Sequence, residues 1–223
     1  MSRYGDFYEN RVTGERVVVL RGPDDIAAGQ TGLAHLTVSP HGAVAGEHVH
    51  PHIQERFVVI SGVLGTRLDG VERDLHAGEE ATATPGMPHD WWNAGEKDAN
   101  VLVELDGPPE HRPRFEAMIA TIFGLANEGR TNAKGLPHPL QLALLAREFD
   151  DVIRFTRPPR AVQIPLFAVL GALGRARGLR PTYSQHLHPH GRTSPDPEVL
   201  EWAGITAPVE SHLTRRGRHT PRT

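Results

Sequence analysis

GEHVHPHIQERFVVISG, residues 46–62, sets three histidines at alternate positions, His48, His50 and His52, ahead of Glu55 and a β-branched apolar run. Alternation at period two belongs to an extended strand, whose side chains two apart leave the same face. His48 and His50 therefore offer two imidazoles to one side, while Val49 packs on the other. Pro51 interrupts the pattern, because proline removes a ladder donor and marks a strand end or a turn. Glu55 lies five residues beyond His50, an odd separation that would turn it away on a straight strand. A connection over residues 51–54 brings it back, so that Glu55 begins the next strand on the histidine face. His52 falls inside that connection and reads as a neighbour of the site rather than a ligand, and Gln54 as a possible hydrogen-bond partner or a plain turn residue.

Outward from this stretch, short β-branched runs recur between Glu15 and Asp106: RVVVL (16–20), LAHLTV (33–38), RFVVI (56–60) and VLVEL (101–105), separated by Gly, Pro, Asn and Asp. That spacing predicts an all-β sandwich or barrel. Asp69-Gly70 is a hairpin signal, since both central positions of a type I′ turn need positive φ. From His111 the period becomes helical: Phe115, Met118, Ile119, Ile122, Phe123 and Ala126 follow Pro113, and Gly129 closes the segment. Leu142, Leu145, Phe149, Val152 and Ile153 repeat the pattern after Pro139. A third helix is expected to begin near Pro165, with Leu166, Val169, Leu170 and Leu173 on one face and Gly178 at its end. The apolar stretch 161–174 is shorter than the roughly 17 to 25 residues a bilayer span needs, so it reads as a buried or interface helix.

The 223 residues suit one well-buried domain with an appendage. A net charge of −3 gives no reason to expect nucleic acid, and the basic residues 215–223 read as a solvated tail. Without cysteine there is no disulfide, thiolate ligand or thiol nucleophile, which leaves histidines and carboxylates to hold a metal. The charged N-terminus lacks the apolar stretch of a secretory signal, so a cytoplasmic protein is expected. Fourteen histidines is a high count for this length, and they gather in the opening stretch and in HLHPHG at 186–191. The latter lies in a Pro-rich segment and reads as solvated.

Gly42, His48, His50, Glu55 and Gly62 reproduce every interval of the first sequence motif of the cupins, and Gly78, Gly86, His89 and Asn93 fall in register with the second. Pro85 departs from it, standing directly before Gly86 rather than two places earlier. The chain resembles the cupins over roughly residues 30–106, and that resemblance implies a mainly β fold: a small jelly-roll barrel with a C-terminal α-helical extension. It implies a division into a barrel with an N-terminal arm (1–108), a helical extension (109–180) and an irregular tail (181–223). It also implies a metal ion held inside the barrel by His48, His50, Glu55 and His89. The extension is similar to those of bacterial single-domain cupins that carry comparable GLPxPLQLA and RPPRAVQ stretches, and it should pack on an outer barrel face or across a homodimer interface.

Three imidazoles and one carboxylate suit Fe, Mn, Ni, Cu or Zn better than Mg or Ca and leave coordination positions open. Three functions are consistent with such a site: a dioxygenase-type oxidoreductase acting on a small organic substrate with Glu55 as ligand or general base, a non-redox isomerase, cyclase or decarboxylase, and a non-catalytic small-molecule binding module. In Asp90-Trp91-Trp92, strand alternation should place one indole toward the cavity, the other outward, and Asp90 away from the face of His89. His35, His41 and His76 carry no spacing signal and are expected at the surface or beside the site.

Overall fold

The computed structural model describes residues 2–22, 25, 29–44 and 46–206. Its strands form two antiparallel sheets. The seven-stranded sheet contains Asp6–Asn10 (β1), Glu15–Arg21 (β2), Gly32–Val38 (β3), Gln54–Ser61 (β5), Glu80–Ala83 (β8), Ala99–Asp106 (β10) and Gly191–Arg192 (β12), in the order β12-β1-β2-β3-β10-β5-β8. The five-stranded sheet contains His48–Val49 (β4), Val63–Leu68 (β6), Val71–His76 (β7), His89–Asn93 (β9) and Arg154–Phe155 (β11), in the order β11-β4-β9-β6-β7. The two sheets form a jelly-roll barrel, and their inner faces meet through Leu36, Phe57, Val59, Leu64, Trp91 and Val101. Alternation along β5 shows why: Glu55, Phe57 and Val59 turn inward while Arg56 and Val58 turn out.

Turn chemistry sets the register. Asp69 and Gly70 take φ of 47° and 80°, and Leu68 pairs with Val71 across the expected two-residue turn. Gly62 has φ of 81° and lies so close to the neighbouring strand that a Cβ would stand 2.7 Å from both the Ala99 Cα and the Asp98 carbonyl. Only glycine fits there.

The helices are His111–Asn127 (α1), Pro139–Glu148 (α2), Arg160–Ala176 (α3) and Pro197–Ala203 (α4). Helix α1 lies over the open end of the barrel, with Ala120 and Phe123 against Tyr8 and Val19, so its apolar face closes the barrel interior rather than covering an outer face. Helix α3 begins five residues before Pro165, which sits inside it. The early start is anchored by Gln163, whose buried Nε2 donates to the carbonyls of Phe155 and Pro158 at 2.7 and 2.5 Å. Of the two expectations for α3, a buried or an interface helix, burial within one chain does not hold. Within one chain only Gln163, Gly171 and Gly174 of this helix are buried, and the glycines let it approach Leu144 of α2.

Of the stretch from residue 181, expected to be irregular, the described part, residues 181–206, carries regular elements packed on the fold. It contains a short 3₁₀ turn, Ser184–His186, then β12 and α4. Helix α4 is capped by Asp196, which accepts from the Glu198 N–H at 3.0 Å, and it buries Val199 and Leu200 against Leu20, Leu33, Ile60 and Leu102. His186 is not solvated. Its ring is buried where Gly124 of α1 leaves room for it, and its Nε2 lies 2.7 Å from Glu128 Oε1. The basic segment 215–223 lies outside the described residues. By pairing β11 with β4 and β12 with β1, the C-terminal region covers one edge of each sheet, where unpaired backbone groups would otherwise stand open.

Candidate metal centre

His48, His50, Glu55 and His89 come together between the two sheets, all buried, with one ligand atom from each lying within 4.8 Å of the others. His48 and His89 are cross-strand partners on β4 and β9. Residues 51–53 leave the strand, as Pro51 requires, and Glu55 returns from the opposite sheet on β5. Pro85 and Gly86 form the centre of a turn closed by the Met87 N–H on the Thr84 carbonyl at 2.9 Å, with Gly86 at φ of 82°. A proline followed directly by glycine suits this type II geometry. The Gly86 N–H donates to the His50 carbonyl at 2.8 Å, tying the two motif segments together beside the site.

Each imidazole is oriented by a backbone carbonyl. Nδ1 of His48 donates to Gly46 O at 3.0 Å, Nδ1 of His50 to Val152 O at 2.7 Å, and Nδ1 of His89 to Met87 O at 2.9 Å. A carbonyl can only accept, so each Nδ1 carries a proton and each Nε2 is the nitrogen left for the centre, the arrangement found behind metal-bound histidines. Glu55 Oε2 lies 3.2 Å from Nε2 of His89 and 3.6 Å from Nε2 of His50.

The electrostatics favour a cation at this point. Burial alone would raise the Glu55 carboxyl, but hydrogen bonds and charge from His50 and His89 outweigh it and hold the group well below the usual carboxylate range. Burial and the facing His50 and His89 push His48 down to about 3, so it is neutral at physiological pH. Burial would also lower His89, yet its bond to Glu55 wins and raises it. A neutral His48 beside a firmly ionised Glu55, with Nε2 of His50 and His89 close to that carboxylate, is a ligand set suited to a metal ion. The residues present therefore fit a bound metal.

Beside the cluster lies a cavity in two compartments. One, of about 90 Å³, is bounded by His48, His50 and Ile153; the other, of about 150 Å³, by Val19, Leu36, Val103 and Leu105. Glu15, Glu55, Trp91, Phe115, Ile119 and Phe123 belong to both. Trp91 is the inward indole, while Trp92 packs outside on Gly65, which has no room for a Cβ beside that ring. Asp90 points away from the cluster toward Arg67, its Oδ2 3.5 Å from the guanidinium Nη1. His52 is exposed and stacks on His111 at 4.8 Å, outside the ligand cluster.

Three contributors are not legible as site residues from the sequence. Val152 supplies only a backbone carbonyl, from 102 residues beyond His50. Phe115, recognisable only as part of an apolar helix face, sets its ring 5.4 Å from that of His50. Glu15 is a buried carboxylate at the start of β2, held by Asn10 Nδ2 at 3.4 Å and by the Thr13 hydroxyl, both on Oε2. Burial outweighs those bonds and pushes its carboxyl up to about 7. Among the residues lining the larger compartment, Arg21 and Arg112 each keep a buried Nε–H with no acceptor among the described residues.

A family model described as a cupin domain, Cupin_2, matches residues 34–104, the span that contains all four clustered residues. No curated protein sequence matches the chain. Solved structures similar to part of it include a predicted oxalate decarboxylase of Thermotoga maritima, with 19% identity over 42% of this chain and 81% of that one and a TM-score of 0.40. The Cupin_2 domain of an XRE-family transcriptional regulator of Enterobacter cloacae is 21% identical over 43% of this chain and 98% of its own, with a TM-score of 0.37. A sugar phosphate isomerase of Silicibacter pomeroyi is 25% identical over 48% and 71%, with a TM-score of 0.38. The chain therefore contains a cupin domain over residues 34–104, with both motif segments folded around one buried His/Glu cluster inside a jelly roll.

Proposed function

We propose that His48, His50, Glu55 and His89 bind one divalent transition metal ion, and that the protein is an enzyme of the dioxygenase type acting on a small organic substrate in the adjoining cavity. The observation that carries this reading is the set of three imidazoles whose Nδ1 atoms all donate to backbone carbonyls, leaving three Nε2 atoms and one carboxylate for a single point. The metal would supply a Lewis acid and, if redox-active, electrons for oxygen chemistry. Phe115, Ile119 and Trp91 exclude water from the substrate's apolar body. Glu55 holds a ligand position or, swung off it, takes a proton through Oε2. The Nε–H groups of Arg21 and Arg112, which have no acceptor among the described residues, suit a substrate with an acceptor oxygen at the end away from the metal.

Glu15 favours a second reading. A buried carboxyl near 7, shared by both compartments, is poised for proton transfer, which suits non-redox isomerisation, cyclisation or decarboxylation in the same site. Elemental analysis of protein purified without a histidine tag tests the metal: stoichiometric Fe, Mn, Ni, Cu or Zn is expected, and protein that takes up none of them is a binding module instead. Oxygen uptake during turnover separates the chemistries. Equal turnover of a substrate with and without air excludes the oxygenase reading.

A further inference from the structure

The outer surface of α3 holds five of the nine exposed large apolar side chains among the described residues. Val162, Leu166, Val169 and Leu173 follow one another at helical spacing as a single stripe, exposed by 50, 40, 60 and 46%, and Ile164 at the helix start is exposed by 61%. Between Ala161 and Gly174 the only polar side chain is Gln163, and it is turned inward on the carbonyls of Phe155 and Pro158. The outward surface therefore has no polar side chain over four helical turns. A contiguous apolar surface of this kind is uncommon on a protein that meets only water.

The segment of chain that contains it carries charge of one sign. From residue 153 to 195 the chain has seven arginines and neither aspartate nor glutamate. Arg154 and Arg160 both pair with Asp150. Arg157 before the helix, Arg175 in its last turn, and Arg177 and Arg180 after it are exposed and have no ion pair among the described residues. Apolar side chains bracketed at both ends by free guanidiniums fit an interface where acyl chains lie beneath anionic headgroups. A second copy of the chain fits less well. In a two-fold pairing of this face the cations at one end of each helix meet cations on its partner in either orientation, with no carboxylate on the helix to offset them. The apolar stretch of α3, residues 161–174, is too short for a span but not for a helix lying in the plane of the headgroups.

We propose that the exposed face of α3, flanked by Arg157, Arg175, Arg177 and Arg180, is a docking surface for anionic lipid, with the helix lying parallel to the membrane and the barrel held at its surface. The test is co-sedimentation of the full chain with vesicles of equal parts phosphatidylglycerol and phosphatidylcholine, against vesicles of phosphatidylcholine alone. Binding at least about tenfold stronger to the anionic vesicles is expected, falling as salt is raised. Ile164→Glu with Val169→Glu should lower that binding at least about tenfold, and Arg175→Gln with Arg177→Gln should remove most of the preference for anionic lipid. These positions are exposed, so an unchanged circular dichroism spectrum and melting temperature confirm that the fold is retained. Equal binding to both vesicle types overturns the proposal. So does binding that survives the Ile164 and Val169 substitutions, which would assign it to the basic residues 215–223 alone. A lipid-free dimer by light scattering that Ile164→Glu dissociates would also overturn it, assigning the face to a second copy.

Discussion

Replacing Glu15 by glutamine should make the protein more stable at alkaline pH and leave it nearly unchanged in mild acid. Glu15 is buried at the start of β2, and loss of solvation pushes its carboxyl from the ordinary 4.5 up to about 7 despite the Thr13 and Asn10 bonds. The folded state thus holds a proton that the unfolded chain has already released between those values. Stability falls as pH rises through that window, and the loss is complete above the folded value. At about 1.4 kcal/mol per pH unit the gap caps the effect at about 3.4 kcal/mol, of which about 2.5 kcal/mol falls between about pH 5 and pH 8. Glutamine keeps the shape and an acceptor oxygen for Thr13 and Asn10 but cannot ionise. Urea denaturation of metal-stripped wild type and Glu15→Gln at the two pH values measures the difference, and groups common to both proteins cancel. Metal is stripped because a cation in the neighbouring cluster would itself favour the ionised carboxylate. Wild type should lose about 2.5 kcal/mol more than the variant. Stabilities that track each other to within about 0.5 kcal/mol would show that Glu15 is solvated and does not face the cavity as a buried carboxyl.

Elemental analysis should find metal lost from His48→Ala and His89→Ala but nearly intact in His52→Ala, because His52 stacks on His111 away from the cluster. A His52→Ala loss as large as that of His50→Ala would refute the assignment. Chelation should lower the melting temperature, since a cation at about 100 times its Kd stabilises the folded state by about 2.7 kcal/mol. An unchanged melting temperature in protein shown to have lost its metal would mean that the cluster is preformed without energetic coupling to the ion. Leu144→Ala should cost about 2–5 kcal/mol in urea denaturation, because this fully buried side chain fills the contact between α2 and the glycines of α3. A cost below about 1 kcal/mol would mean that the two helices pack loosely.

Much of the site is local in origin and hence readable. His48 and His50 share a face because strand side chains alternate, and Pro51 forces the break that returns Glu55 to them. Asp69-Gly70 declares a turn because few other residues adopt the backbone angles observed there, whereas Pro85-Gly86 stands in the sequence only as a departure from the motif and is seen as a turn in the structure. The apolar face of α1 is equally plain, but periodicity does not say what a face covers, and here it covers the barrel mouth. Pro165 misleads about the start of α3 because the anchoring bonds of Gln163 reach Phe155 and Pro158, outside the helical pattern. His186 resembles its exposed neighbour His188 until α1 is in place, when the missing side chain of Gly124 provides the space for its ring.

The barrel strands, helices α1 to α3, the Asp69-Gly70 turn and the shared face of His48 and His50 are specified locally in the amino-acid sequence, since each is written in side-chain period or in a residue's own backbone preference, while His89 joins the ligand set only through the resemblance to the cupin motifs. The rest came from tertiary packing. It brought the Val152 carbonyl to His50, placed Glu15 in a low-dielectric cavity with Glu55, and left the apolar stripe of α3 facing outward. Solvation and hydrogen-bond partners belong to a residue's surroundings, and those surroundings are assembled from segments distant in the chain.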